Sequence, residues 1–287
     1  SHRITCVQKD VVASLFRFLH DVGTIHVIVP AGEVQACHET LLRVRCHNES
    51  VILDRTKFLP SFPNRNNWSM SASRKGWYYQ QFLKLLAVHR IELSSHFFIW
   101  DSDNILVRPY RPVVGGKTRF LTTTGELAGP FQYIIADIVR DLFDMEQGQR
   151  LVQDRTGYYR TTTYALLGLK ANRTDIIVHQ MYICKDIMLD MLHHLCSGQK
   201  SESCSYAIMG NIPQEANPYM GLSEYHLYYT WFSHQYPESV HIATEFRIFR
   251  DYVRKRADSR IACLWAWVEK SLVSLSPRVA MAIIESK

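Results

Sequence analysis

The stretch Phe97-Phe98-Ile99-Trp100-Asp101-Ser102-Asp103-Asn104-Ile105-Leu106-Val107-Arg108-Pro109 decides how this chain reads. Four consecutive large apolar residues, Phe97 to Trp100, have the composition of a buried strand, and Pro109 closes the segment. The strand delivers Asp101 and Asp103 to its carboxyl end, where open α/β sheets hold their ligands. Residues two apart on an extended chain face the same side, so both carboxylates can turn to one hard cation. Mg²⁺ or Mn²⁺ takes oxygen ligands and keeps phosphate oxygens in its shell, so this D-x-D predicts a metal–diphosphate site.

Outward from that strand, the chain predicts an alternation of strands and helices. Residues 3–7 read as a first strand ending at Gln8-Lys9-Asp10, and residues 11–22 carry apolar side chains at helical spacing. Residues 25–29 read as a second strand stopped by Pro30, which makes a strand–helix–strand opening of a parallel sheet. One or two strands are expected over 44–53 with Asp54 at their end, followed by a polar loop over 60–75. A helix over 76–91 gains its apolar face from Trp77, Phe82, Leu83, Leu85, Leu86 and Val88. Residues 120–124 are β-prone, 134–142 read as helix, and 164–167 as strand or helix. Beyond them come a strand over 175–181, a helix over 185–195 and a polar loop over 197–205. A helix over 223–232 with Ser223 as its N-cap, a short strand over 239–242 and helical periodicity over 264–284 complete the reading. With no internal repeat or linker, one domain is expected.

Composition narrows the function. A net charge of +6 and a pI near 8.9 favour anionic ligands, nucleotide diphosphates included. There is no long basic run with interleaved aromatics, so nucleic acid is not the expected partner. The basic residues Arg247, Arg250, Arg254, Lys255, Arg256 and Arg260 read as a solvated helix face, with a membrane surface or acceptor phosphate as the other reading. No apolar run reaches the ~18 residues of a membrane-spanning helix. Seven cysteines without a C-x-x-C pair argue against structural zinc, while Cys37/Cys46 and Cys196/Cys204 are close enough for local disulfides. Together with N-x-S/T sequons at Asn48, Asn67 and Asn172, this predicts the lumen of the secretory pathway, the Golgi in particular. The cytoplasm is the alternative, and a membrane anchor upstream of residue 1 is compatible with the lumenal reading.

Each candidate residue has a plain structural reading beside its chemical one. Asp101 and Asp103 can cap a solvated turn, or serve a haloacid-dehalogenase-type phosphatase in which the first aspartate is the nucleophile, with Asp137 and Asp141 as distal acids. Ile105, where that phosphatase needs a hydroxyl, stands against it. Glu224 follows Gly221 at a helix start, where the helix dipole alone favours a carboxylate and where a general base can also sit. His241 is either a satisfied strand residue or a third metal ligand, with His179 a weaker candidate. Gln81 and Lys84 project from the same side of the helix as Trp77, with Lys84 either exposed, near a diphosphate, or orienting Asp101.

Three blocks converge on a family. Gly76-Trp77-Tyr78-Tyr79-Gln80-Gln81-Phe82-Leu83-Lys84-Leu85, the D-x-D block from Phe98 to Pro109, and Ser223-Glu224-Tyr225-His226-Leu227-Tyr228 resemble a subset of GT-A-type glycosyltransferases known mainly as a domain of unknown function. Its pattern is W-Y-x-Q-Q-x-x-K-L, a D-x-D followed by R-P, and [S/T]-E-Y-x-L-Y. The resemblance spans about residues 3–245. It implies a Rossmann-like α/β fold with a mostly parallel central sheet flanked by helices, a catalytic domain over 1–245; beyond it no family pattern continues, and helical periodicity predicts a helical C-terminal extension over 246–287 packed on the same domain. It further implies a nucleotide-sugar donor, a glycan or glycoprotein acceptor, and Mn²⁺ or Mg²⁺ as cofactor. Asp103 would bridge the metal to the diphosphate, with Asp101 reaching the ribose or the metal and His241 as third ligand. Val7, Gln8 and Asp10 would line the nucleotide and Asp54 would read the base. Ser102, Gln81 and Lys84 complete the donor-binding set, and Glu224 would be the base of an inverting transfer. A catalytically inactive glycan-binding scaffold of the same fold is the competing class. The chain departs from the pattern around Val178-His179-Gln180.

Overall fold

The computed structural model describes residues 6–61, 72–101, 104–106, 109–121, 162–170, 176, 180–197, 202–213, 221–243, 247–251 and 279–284. The chain opens with helix α1 (Cys6–Phe18), in which Val11 and Leu15, four residues apart, are buried. Helical spacing therefore reaches back through the segment expected to be a strand end: Val7, Gln8 and Asp10 lie on α1. Residues 3–5 fall outside the described residues.

Strand β1 (Ile25–Val29), β-branched at every position but His26, ends at Pro30 as expected. It is followed by α2 (Val34–Thr40) and by β2 (Val44–Asn48), which pairs parallel with β1 from Ile25↔Val44 to Val29↔Asn48. The strand–helix–strand unit is thus real but begins at Ile25. Alternation turns Val27, Val29, Val44 and Cys46 toward Cys37 and Leu41, and a Cys37–Cys46 disulfide ties α2 to β2. The remainder of the 44–53 span is a single helical turn, α3 (Glu49–Ile52), because the Asn48 side chain accepts from Ser50 N and diverts the backbone. Asp54 likewise caps the short α4 (Arg55–Phe58), accepting from both Thr56 N and Thr56 Oγ1.

The other face of the β1–β2 pair carries two histidines. His26 Nδ1 and His47 Nε2 lie 2.9 Å apart with stacked rings. Burial first, and then neighbouring positive charge (His47 and Arg45 for His26, Arg45 and His38 for His47), hold both imidazoles below their ordinary value of 6.5. The unfolded chain therefore binds protons before the folded chain does. The stability this pair contributes is present above pH 6.5 and is lost as the pH falls below it. Between pH 7 and pH 5 the melting temperature of the wild type is expected to fall further than that of His47→Gln, as thermal melts would record; parallel curves would remove this assignment.

Helix α5 (Ala72–Arg90) is the centre of the molecule. Tyr78, Tyr79, Phe82, Leu83, Leu85, Leu86, Ala87 and Val88 are all buried, so this helix is covered on nearly every side. It starts four residues before the expected Gly76. Strand β3 (His96–Trp100) follows, with Asp101 at its carboxyl end, and then β4 (Asn104–Leu106), β5 (Val113–Val114) and β6 (Lys117–Leu121). Residues 162–167 form helix α6, which settles the strand-or-helix reading there. Strand β7 (Gln180–Cys184) overlaps the end of the expected strand and runs directly into α7 (Lys185–Cys196). Helix α8 (Glu202–Asn211) occupies part of what reads as a polar loop, and a Cys196–Cys204 disulfide joins it to α7. Helix α9 (Glu224–Gln235) and strand β8 (Val240–Ala243) fall where expected, with the Ser223 side chain accepting from His226 N as N-cap.

The described strands form four small sheets of mixed direction rather than one mostly parallel sheet. Strand β3 pairs antiparallel with β7, from His96↔Cys184 to Trp100↔Gln180. Strand β6 lies between antiparallel β5 and parallel β8. Within the span expected to be a helical extension, β9 (Arg247–Asp251) and β10 (Val279–Ile284) are strands, paired parallel to each other, and β10 also pairs antiparallel with β4. Arg247 and Arg250 therefore sit on a strand, not on a helix face. The readings at 62–71, 122–124, 134–142, 175, 177–179 and 252–278 lie outside the described residues. Among the described residues no helix is long and apolar enough to cross a membrane.

Candidate active site

Helices α5 and α9 build the site together. Residues 224–232 of α9 are buried without interruption, so this helix, like α5, presents polar groups to protein rather than to water. Tyr78 of α5 anchors the approach to α9 by accepting a hydrogen bond from Gly221 N at 3.1 Å. One turn into α9, Tyr228 Oη accepts from Cys184 N at 2.8 Å, which fixes α9 against the β7–α7 junction. These bonds set the first turn of α9 over the middle of α5, beside the end of β3.

There the Lys84 ammonium bonds to two carboxylates: Asp101 through Oδ1, and Glu224 through Oε1 at 2.8 Å. The Tyr225 hydroxyl donates to the same Asp101 oxygen at 3.1 Å and lies 3.4 Å from Lys84 Nζ, with the Tyr225 ring 4.9 Å from that nitrogen. With its amide nitrogen turned to the acid, Gln81 donates to both oxygens of Glu224, 2.9 Å from Oε1; the opposite orientation would set amide oxygen against carboxylate. The Glu224 side chain is 1% exposed, against 19% for Lys84 and 18% for Asp101. Charge thus opens toward solvent on the Asp101 side and is sealed on the Glu224 side.

The electrostatics follow from this burial. Burial pulls the Lys84 ammonium down, but Asp101 and Glu224 outweigh it and hold its pKa above the ordinary lysine value, so it stays charged. Burial raises the Glu224 carboxyl above the usual carboxylate range, with Asp101 adding to the rise and Lys84 opposing it. One ammonium between two carboxylates leaves a net negative charge beside Asp101.

Of the expected site residues, the structure brings together Gln81, Lys84, Asp101 and Glu224. Val7, Gln8 and Asp10 lie along α1, not at the end of a strand. Asp54 is a half-buried helix cap whose Oδ2 is 3.7 Å from Lys57, and the hydrogen bonds it accepts from Thr56 hold its carboxyl below the usual range. His241 stands on β8, registered against Arg119 of β6. Ser102, Asp103 and His179 lie outside the described residues, and among the described residues no group of three or more His, Cys, Asp or Glu is placed to hold a metal. Glu224 is buried, and both its oxygens accept from donors on α5. Two residues escape the sequence reading. Tyr225 is visible only as part of the S-E-Y block, and its aromatic identity suggests core rather than a hydroxyl on Asp101. Gln180, paired across the ladder with Trp100 next to Asp101, has a buried side chain that hydrogen-bonds to Tyr110, and its amide oxygen has no partner among the described residues. An isolated glutamine in an apolar strand gives no signal of that in sequence.

Fold and site define an α/β protein with a buried lysine–dicarboxylate cluster at the end of a strand. The chain belongs to the Family of unknown function (DUF6492), whose model matches residues 10–246. No curated protein matches it. Among solved structures it is similar to the crystal structure of mouse xyloside xylosyltransferase 1 in its apo form. The two share 11% identity at a TM-score of 0.44, over 96% of this chain and 90% of that one. A likeness that loose fixes neither fold nor activity.

Proposed function

We propose that this protein is a metal-dependent glycosyltransferase of the GT-A type, taking a nucleotide-sugar donor, a UDP-sugar first among them, and a hydroxyl of a glycan or glycoprotein as acceptor. The observation that carries the reading is convergence. The three blocks that resemble such enzymes are far apart in sequence, yet Lys84 and Gln81 of the first, Asp101 of the second, and Glu224 and Tyr225 of the third meet in one cluster. Structural need alone does not explain a buried ammonium shared between two acids, since an apolar cluster of the same volume is as stable or more so.

An all-carboxylate donor set at Asp101 and Asp103 suits a hard cation such as Mn²⁺ or Mg²⁺. When bound, such a cation neutralises charge on a diphosphate as a Lewis acid, worth several kcal/mol in sites of this kind. In the transfer, the bond between the anomeric carbon and the diphosphate oxygen breaks, the acceptor oxygen bonds to that carbon, and the nucleoside diphosphate leaves with the electron pair. Lys84 and Tyr225 hold Asp101 at the strand end, so the carboxylate needs no reorganisation when the donor arrives. The outward face of the cluster, on the Asp101 side, is the donor side. In this reading Glu224 stays bonded to Lys84 and Gln81, and the acceptor's proton passes to a phosphate oxygen of the departing nucleoside diphosphate. The Cys37–Cys46 and Cys196–Cys204 disulfides support a lumenal setting for this chemistry.

A panel of nucleotides and nucleotide sugars, screened by thermal shift with and without Mn²⁺, tests this reading. One nucleotide class together with Mn²⁺ is expected to raise the melting temperature by several degrees. Ligand at one hundred times its Kd stabilises the native state by about 2.7 kcal/mol. No shift with any nucleotide in the presence of Mn²⁺ would overturn the reading.

A further inference from the structure

We propose that Glu224 is a positioning residue: with Gln81 it holds Lys84 between two acids, and through Lys84 it sets the charge and orientation of Asp101 for the cation. This deepens the donor-site reading and rests on it. A base that serves an acceptor must bring a carboxylate oxygen within hydrogen-bond reach of the hydroxyl, directly or through one water. Glu224 is oriented the other way. It is 1% exposed, Lys84 Nζ takes Oε1 at 2.8 Å, and the Gln81 amide spans both oxygens.

From Glu224 the contacts run in one direction, outward. Gln81 and Lys84, three residues apart on α5, clamp the acid; Lys84 then reaches Asp101; and Tyr225, the residue after Glu224 on α9, donates to the same Asp101 oxygen. Each of the two helices therefore supplies one group to Asp101, Lys84 from α5 and Tyr225 from α9, so the position of Asp101 is a property of the helix pair.

Charge counting gives the sign. Glu224, Asp101 and Lys84 together carry one net negative charge. Neutralising Glu224 takes the total to zero and leaves the ammonium with Asp101 as its sole carboxylate partner in the cluster. The lysine then competes with the metal for the acid instead of being shared. Groups that orient a metal ligand without touching the metal typically change affinity by about 10–100-fold when replaced.

The test is Mn²⁺ binding with UDP as probe, read by electron paramagnetic resonance on the full chain, beside donor KM and kcat. Glu224→Gln is isosteric and is expected to bind Mn²⁺·UDP about 10–100-fold more weakly and to raise donor KM. Gln81→Met leaves every charge in place, loosens only the clamp, and is expected to weaken Mn²⁺·UDP about threefold or more within the same range. Because it replaces a neutral side chain, it carries the test if Glu224→Gln fails to fold. Unchanged Mn²⁺·UDP binding in Glu224→Gln with kcat reduced about 10²–10⁴-fold would restore the base and overturn the proposal. Wild-type binding in Gln81→Met would also overturn it. A wild-type chain that binds Mn²⁺·UDP in every case keeps the donor-site reading whichever way the variants fall; one that does not bind removes both.

Discussion

Replacing Lys84 with methionine is expected to cost about 3–5 kcal/mol of folding stability at neutral pH, the range for removing one partner of a buried ion pair. The reason lies in Glu224. Its carboxylate sits 1% exposed, and with the ammonium gone the only donor left from α5 is the Gln81 amide. Asp101, more open to solvent, tolerates the loss better. The double variant Lys84→Met/Glu224→Gln should recover most of the stability, because it removes the stranded charge along with its partner, and the two positions should be strongly non-additive. Lowering the pH should narrow the deficit of the single variant, since burial already holds Glu224 above the usual carboxylate range and the protonated acid needs no cation. Urea unfolding of the three proteins settles the matter. A Lys84→Met variant within about 0.5 kcal/mol of wild type, the scatter of ordinary surface substitutions, would show that the cluster is not the buried assembly described here.

Asp103→Ala is expected to have the largest effect on activity. If this aspartate bridges the cation to the donor diphosphate, its removal takes away the ligand and with it the charge stabilisation of the leaving group. Several kcal/mol of lost stabilisation correspond to a turnover reduced by about 10³-fold or more. Mn²⁺-dependent nucleotide binding should vanish with it while the fold, checked by circular dichroism, persists. Turnover within tenfold of wild type would place the metal elsewhere.

Periodicity and apolar runs made much of this fold legible. The largely β-branched run Ile25–Val29 closed by Pro30, the apolar run into Asp101, and the Ser-capped α9 are each specified locally, and each forms where its residues say. The misreadings have local causes of another kind. Val7 suits a strand as well as a helix, and only the continuation through Val11 and Leu15 decides for α1. Asn48 and Asp54 turn an apolar run into two capped helical turns through side-chain bonds that a hydrophobicity pattern does not carry. Val279–Ile284 keeps the spacing of a helix but pairs with Arg247–Asp251 and Asn104–Leu106, partners remote in sequence.

The site divides along the same line. Lys84, Asp101 and Glu224 stand out by residue type and spacing, and the possibility that Lys84 orients Asp101 follows from the helix on which it lies. The inward orientation of Glu224 does not. It arises because α9 is buried over residues 224–232 although the segment mixes acid, histidine, threonine and tyrosine with its apolar residues. That burial is set by packing against α5 and α7, with Tyr78–Gly221 and Tyr228–Cys184 bonds between segments more than forty residues apart. The Tyr225 hydroxyl on Asp101 is hidden for the same reason.

The most direct measurement is chromatography of the nucleoside diphosphate released from a panel of nucleotide sugars incubated with the protein, Mn²⁺ and a mixed glycan acceptor. The account predicts release from one donor class, lost on chelation of the metal and lost in Asp103→Ala. Tight Mn²⁺-dependent binding of a nucleotide sugar with no cleavage of any donor would contradict it, and would leave a protein that holds nucleotide sugars without transferring them.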